Sequence, residues 1–267
     1  IASYDALIVR SRTKVTEEII EEGKNLKVVG RAGTGLDNID VEAAKKRGID
    51  VLNTAEAPAE SVAELTIGLM LSLVRQISQA DQAMKAGKWI KKELVGSMLK
   101  GKTLGIVGFG RIGSHLALIA KAIGMNILVS DPYVDRHIIE KIGARYVPLE
   151  QLLKEADVVT VHVPLNPETR YMIGEKQFQI MKKGSCIINT SRGAIVDEKA
   201  LLKALQTGKL TGAALDVFEV EPPTDMSLVE MPNVICTPHV GAQTKEAQDL
   251  ASVMIAEKVI SNLKSQQ

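Results

Sequence analysis

The sequence predicts an α/β fold, a doubly wound parallel sheet covered by helices on both faces. Three observations predict it. Short apolar runs rich in Val and Ile alternate with longer segments of helical periodicity along nearly the whole chain. The runs are near-continuous rather than alternating, the pattern of strands buried on both faces. One of them passes through a glycine-rich turn, Gly108-Phe109-Gly110-Arg111-Ile112-Gly113, straight into a helical segment. A length of 267 residues suits about two domains.

A small βαβαβ unit opens the chain. Residues 6–9 (Ala-Leu-Ile-Val) read as a strand and 16–22 as a helix capped by Thr16. A second strand at 26–29 ends in the turn Gly30-Arg31-Ala32-Gly33-Thr34-Gly35. A helix at 41–47 is stopped by Gly48, and a short strand follows at 51–52. Residues 61–84 are apolar at helical spacing without proline and predict one or two helices. Gly87-Lys88-Trp89 follows, then a polar stretch to Lys102. The second series predicts strands at 104–107, 127–130, 158–163, 186–190, 213–217 and 234–236. Its helices fall at 112–123, 149–155, 175–181 and 199–206, and residues 244–263 form one amphipathic helix.

Composition excludes several classes. Lys+Arg total 33 and Asp+Glu 32, a net charge of +1, which argues against a nucleic-acid or anionic-membrane footprint. Aromatics are 3%, too few for a base-stacking surface. The longest apolar patch, at 65–74, is broken by Thr66, Gly68 and Ser72, so no membrane span is expected. Cys186 and Cys236 belong to no CxxC pair, so neither a disulfide framework nor a metal site follows, and a reducing cytoplasm is the expected compartment.

The glycine turn carries the first functional signal. Alone, GxGxxG is weak; after an apolar strand and before a helix it is a dinucleotide fingerprint of the Rossmann type. Gly108 permits the tight turn, Gly110 lets the backbone approach a pyrophosphate, and Gly113 lets helix and sheet pack closely. The helix N-terminus, at Arg111 and Ile112, then offers free N–H groups to negative charge. Asp131, 23 residues beyond Gly108 at the end of the next strand, suits the ribose hydroxyls and repels the extra phosphate of NADP. NAD is the expected cofactor.

Of four histidines, His115 lies in the helix after the fingerprint, His137 in a polar stretch and His162 in a strand that could hold it as a satisfied core residue. His239, in Thr237-Pro238-His239-Val240-Gly241, falls just past a strand's C-terminal end, the edge that carries ligands in open α/β sheets. Asn189-Thr190-Ser191-Arg192-Gly193 places an arginine after another strand, and Asp216, Glu219 and Glu221 follow a third. An arginine binds a carboxylate in bidentate fashion, and a glutamate beside a histidine favours the imidazolium and fixes its tautomer. Over a nicotinamide, such a set suffices for hydride transfer with a hydroxy acid. The spacing does not itself show that the three meet.

These motifs, with Leu36-Asp37-Asn38 after the first glycine turn, Ala214-Leu215-Asp216-Val217-Phe218, Glu221-Pro222-Pro223 and Pro238-His239-Val240-Gly241-Ala242, resemble those of the D-isomer-specific 2-hydroxyacid dehydrogenases along essentially the whole chain. The resemblance implies an NAD-binding domain over 58–243, inserted into a smaller flavodoxin-like substrate domain made of 1–57 and 244–267. It implies that Arg192 binds the substrate, Glu221 supports the histidine and His239 is the acid–base group. Arg111, Ile112, Asp131, Thr190, Ser191, Asp216 and Gly241 match cofactor positions. The substrate would be a small 2-hydroxy acid. Arg10 and Arg31 match positions that bind a phosphorylated one, and Gly33, Thr34 and Gly35 could offer N–H groups to its carboxylate.

A homodimer, with tetramers open, would form through 76–96; from the residues alone the same stretch also reads as an internal core helix. The family's first strand is expected to be missing before Ile1, and the serine-binding regulatory domain of many members is expected to be absent from these 267 residues. Other 2-hydroxyacid dehydrogenases, such as glyoxylate or hydroxypyruvate reductases, and a dinucleotide-sensing corepressor stay open as readings.

Overall fold

The computed structural model describes residues 1–266. It divides into two compact units, Ile1–Ser61 with the chain from Ala242 on, and Val62–Gly241. The second is thus an insertion in the first.

The chain begins with β1 (Ala6–Val9), α1 (Glu17–Glu22), β2 (Val28–Arg31), α2 (Val41–Lys46) and β3 (Asp50–Asn53). The three strands are parallel in the order β1-β2-β3, and Val9 pairs with Arg31. A core of Val9, Val15, Ile20, Val29, Ile39 and Ala44 fills one side of this sheet. Asp40 caps α2 by accepting from the Ala43 amide, whereas Thr16, at the corresponding place on α1, makes no side-chain cap bond. The expected capping by Thr16 is therefore positional only.

The apolar run at 61–84 resolves into α3 (Ala59–Val74) and α4 (Ile77–Lys85). The break falls at Gln76, whose backbone is left-handed (φ 54°) without glycine or proline to announce it. No residue of α4 is buried, and Ile77, Met84, Trp89, Val95 and Met98 lie exposed along this stretch.

The large unit continues as β4 (Thr103–Val107), α5 (Arg111–Ala122), β5 (Asn126–Ser130), α6 (Arg136–Lys141), β6 (Arg145–Tyr146), α7 (Leu149–Glu155), β7 (Val158–Val161), α8 (Glu175–Ile180), β8 (Ser185–Asn189), a 3₁₀ turn at Gly193–Ile195, α9 (Glu198–Gln206), β9 (Leu210–Leu215) and β10 (Val234–Cys236). The seven strands are all parallel in the order β10-β9-β8-β7-β4-β5-β6. One apolar layer holds Leu152, Leu153, Phe178, Ile187 and Leu201, the other Met70, Leu104, Leu116, Ile139 and Ile188. The sheet is therefore covered on both faces, as its continuous Val/Ile runs require.

The winding reverses between β4 and β7, and at such a switch point the C-terminal strand ends open a crevice. The strand expected at 213–217 stops at Leu215, and that expected at 158–163 stops at Val161, so Asp216 and His162 belong to the strand-end loops. The short α6 and β6 were not foreshadowed, because a polar stretch of that length carries no periodic signal.

The closing helix, α10 (Lys245–Ser265), is capped by Thr244 and buries Ala247, Ala251, Ile255 and Val259. Ile255 and Val259 pack with Val28 of the small sheet. Leu250, Val253 and Ile260 are exposed, so the helix is less amphipathic than its sequence suggested.

Candidate active site

The turn after β4 has the form a dinucleotide needs. Gly108 lies at φ +92°, and a β-carbon there would come 2.8 Å from the His162 backbone. One at Gly113 would fall 2.3 Å from the Gly108 carbonyl, so α5 can approach the turn this closely only as glycine. At Gly110 a β-carbon would meet no atom within 4 Å, leaving the backbone open to a pyrophosphate. Arg111 and Ile112 open α5 beside it. Asp131 follows β5; one carboxylate oxygen accepts the Phe109 amide (2.7 Å) and the other the Tyr133 amide (2.8 Å), which ties the acid to the turn. These residues fit a dinucleotide.

Three further loops leave the ends of adjacent strands β8, β9 and β10. After β8, the buried Asn189 donates to the Arg192 carbonyl (2.8 Å) and accepts the Ser191 amide (3.1 Å). The Thr190 hydroxyl pairs with that of Thr66 on α3 (3.1 Å), and the Ser191 hydroxyl donates to the Val163 carbonyl. The Arg192 guanidinium donates to the Ser191 carbonyl (2.7 Å). Gly193 then rests on the next loop: a β-carbon there would lie 1.9 Å from the Phe218 carbonyl carbon, so any other residue would push the loops apart.

The acids after β9 take different tasks. Asp216, 1% exposed, binds the loop after β10. Glu219 accepts the Tyr171 hydroxyl (2.9 Å). Glu221, ahead of a cis Glu221–Pro222 bond, meets His239 Nδ1 at 2.7 Å. Burial works to raise the Glu221 carboxyl, but the His239 hydrogen bond and charge, the Phe218 amide and the Arg192 guanidinium outweigh it and hold the group below the usual carboxylate range. The pair is half-open, with side chains 48% and 39% exposed for His239 and Glu221. A cavity of about 470 Å³ with apolar walls from Phe218, Pro222, Val229, Cys236 and Pro238 adjoins it.

His239 itself is held in a left-handed backbone (φ 52°). The other histidines stand apart from this pair: His137 is exposed on α6, and His115 lies in α5. His162 is no satisfied core residue. Both its ring nitrogens are buried without a hydrogen-bond partner among the described residues, and burial pushes its pKa down to about 4.

The sequence motifs included Asn189, Gly193 and Thr237 but gave them no supporting role. Their one signal was polar or glycine identity at or just beyond the end of an apolar strand.

In the small unit, Arg10 follows β1 and Arg31 ends β2, and the pairing of Val9 with Arg31 puts both at one edge of the sheet. Arg10 is exposed and donates to Gln248 on α10 (3.2 Å). Gly33 is at φ +136° with its amide donated to the Thr54 hydroxyl (2.8 Å), so that N–H is not aimed at a ligand as expected. Thr34 and Gly35 continue the loop, and the Thr34 carbonyl accepts from Asn53 (2.7 Å).

A glycine turn opens at the switch point of this parallel α/β sheet, and a His–Glu pair and an arginine lie on strand ends of the same sheet. Residues 67–241 match the D-isomer specific 2-hydroxyacid dehydrogenase, NAD binding domain. The chain belongs to this family. It is 52% identical over 260 residues to D-3-phosphoglycerate dehydrogenase of Methanocaldococcus jannaschii, covering 97% of this chain and 50% of that protein. It is 50% identical over 266 residues to hydroxypyruvate reductase of Thermotoga maritima, covering 98% and 86%. Among solved structures it is similar to D-lactate dehydrogenase from Aquifex aeolicus, crystallised with NAD and lactic acid (TM-score 0.89, 35% identity, 98% and 84% covered). The chain spans about half the length of the phosphoglycerate dehydrogenases it matches. Among the described residues, no helix is long and apolar enough to cross a membrane.

Proposed function

We propose that the protein oxidises 3-phosphoglycerate to 3-phosphohydroxypyruvate with NAD, the entry to phosphorylated serine biosynthesis. The observation that carries this reading is the 2.7 Å contact of His239 with Glu221, on the same parallel sheet as the dinucleotide turn, in a chain about half identical to phosphoglycerate dehydrogenases. Gly108, Gly110, Arg111, Ile112, Gly113 and Asp131 would hold NAD, with Thr190, Ser191 and Gly241 near the nicotinamide end. NAD, when bound, supplies the hydride acceptor.

The chain's own groups do the rest. Glu221 holds Nδ1, so Nε2 of His239 is the nitrogen that takes the hydroxyl proton as the alcohol is oxidised and returns it in the reverse direction. Arg192 binds the carboxylate and polarises the oxygen at the reacting carbon. Residues 1–57 with 244–267 form the substrate domain, where Arg10 and Arg31 take the phosphate and the Thr34 and Gly35 amides the carboxylate. Domain 58–243 carries the cofactor.

A second reading, reduction of hydroxypyruvate or glyoxylate, is favoured by the Thermotoga relative, whose length this chain covers to 86%. Assays of 3-phosphoglycerate, hydroxypyruvate, glyoxylate and lactate, followed at the NADH absorbance, separate the readings; binding of NADH without any turnover would instead indicate a sensor.

The stretch 76–96 is proposed as a homodimer interface, since α4 has no buried residue and Trp89 is 78% exposed. Sedimentation would read the state directly. The two free cysteines suit a reducing cytoplasm.

A further inference from the structure

We propose that Asp216 is a positioning residue, holding His239 in the backbone conformation from which its imidazole meets Glu221. The proposal rests on the reading of His239 as the acid–base group.

Three consecutive amides converge on this one residue. His239 N donates to the Asp216 carbonyl (2.9 Å), Val240 N to Oδ1 (2.8 Å) and Gly241 N to Oδ2 (2.9 Å). The Thr237 hydroxyl adds a fourth bond, to Oδ1 (2.6 Å). Asp216 thus grips the loop on both sides of the histidine, from the first residue beyond β9.

The grip answers a need. A side chain with a β-carbon resists the left-handed region, and His239 sits there at φ 52°. Loosening the loop lets it relax to an ordinary conformation, which re-aims the Cα–Cβ bond and takes Nδ1 away from Glu221. The carboxylate also suits the donors better than its amide would. Both of its oxygens accept, whereas in an asparagine one of them becomes an NH₂ facing an N–H or O–H donor.

The test is a double-mutant cycle in the full-length protein with Asp216→Asn and His239→Asn. Asp216→Asn should lower kcat roughly 10²-fold, the scale of an ångström-sized misplacement of a reacting group. In the His239→Asn background it should cost less than about twofold, since the group it positions is gone. NADH affinity, read by fluorescence, should fall less than kcat in Asp216→Asn. Ring ¹⁵N signals of His239, assigned by their loss in His239→Asn, should lose the Glu221-bonded Nδ1–H in Asp216→Asn. If Asp216→Asn fails to fold, Thr237→Val removes one tie, with an expected kcat loss of roughly threefold to tenfold that Thr237→Ser restores. Additive losses in the cycle, or weakened NADH binding with kcat retained, would overturn the proposal. A wild-type protein inert towards every 2-hydroxy and 2-oxo acid would overturn the proposed function instead; the ¹⁵N signals would still decide whether Asp216 holds the ring.

Discussion

The two units carry their charged groups in different ways. In the large unit the loops after β8, β9 and β10 are braced: Asn189 holds Arg192 within its loop, Gly193 seats that loop on Phe218, and Asp216 binds the His239 loop. In the small unit Arg10 stands exposed, and its guanidinium donates to Gln248 (3.2 Å). A proton-transfer pair loses rate when it shifts by an ångström, so its loops are cross-braced. A cation that meets a phosphate tolerates adjustment, and a long side chain at an open sheet edge is enough. On the proposed function, the large unit would suit fixed chemistry and the small one adaptable recognition.

Several changes would sharpen or break that contrast. The largest effect is expected at the braced pair. His239→Asn should lower kcat by about 10²–10⁴-fold, the usual worth of a general acid–base group, while NADH fluorescence still reports binding. A normal kcat would remove His239 from the mechanism.

At the small-unit edge, Arg10→Ala and Arg31→Ala should each cost roughly 10–100-fold in kcat/KM for 3-phosphoglycerate, the scale of one charge-assisted bond. Arg10→Ala should matter much less for an unphosphorylated hydroxy acid. Equal losses on both substrates would assign Arg10 to the carboxylate or to folding.

Cofactor choice comes next. Asp131→Ala should narrow the preference for NAD over NADP, because the carboxylate tied to the glycine turn no longer repels a 2′-phosphate. Equal use of both cofactors by the unaltered protein would contradict this.

The smallest effect on turnover, but a distinct one on stability, belongs to His162. Its folded-state pKa of about 4 lies below the ordinary 6.5, so as pH falls the unfolded chain takes up the proton first. Stability is therefore full above about 6.5 and is lost as pH falls towards about 4. The loss is on the order of 3 kcal/mol over that window. His162→Leu should flatten the dependence of Tm on pH there, and an unchanged slope would show that His162 is solvated.

Much of this was legible in the sequence because it was written in periodicity or in motifs. Continuous Val/Ile runs announced a two-face-covered parallel sheet, and the glycine turn with Asp131 in register announced its nucleotide edge. The resemblance singled out Arg10 and Arg31, and the pairing of β1 with β2 brings them to one edge of the small sheet. What escaped depends on backbone detail. Gln76 breaks the 61–84 run in a left-handed conformation that its residue type does not signal. The resemblance had linked Glu221 with His239, but nothing in the sequence signalled that Asp216 binds the His239 loop or that Glu219 accepts from Tyr171. The motif around Gly33 suggested a donor, but the fold turns its amide to Thr54.

The most direct test of the account is steady-state turnover of the full-length protein with NAD and 3-phosphoglycerate, set against NADH with hydroxypyruvate and glyoxylate. The account predicts the highest kcat/KM for 3-phosphoglycerate, and its collapse towards the unphosphorylated level in Arg10→Ala. Faster turnover of hydroxypyruvate or glyoxylate, with 3-phosphoglycerate inert, would contradict it.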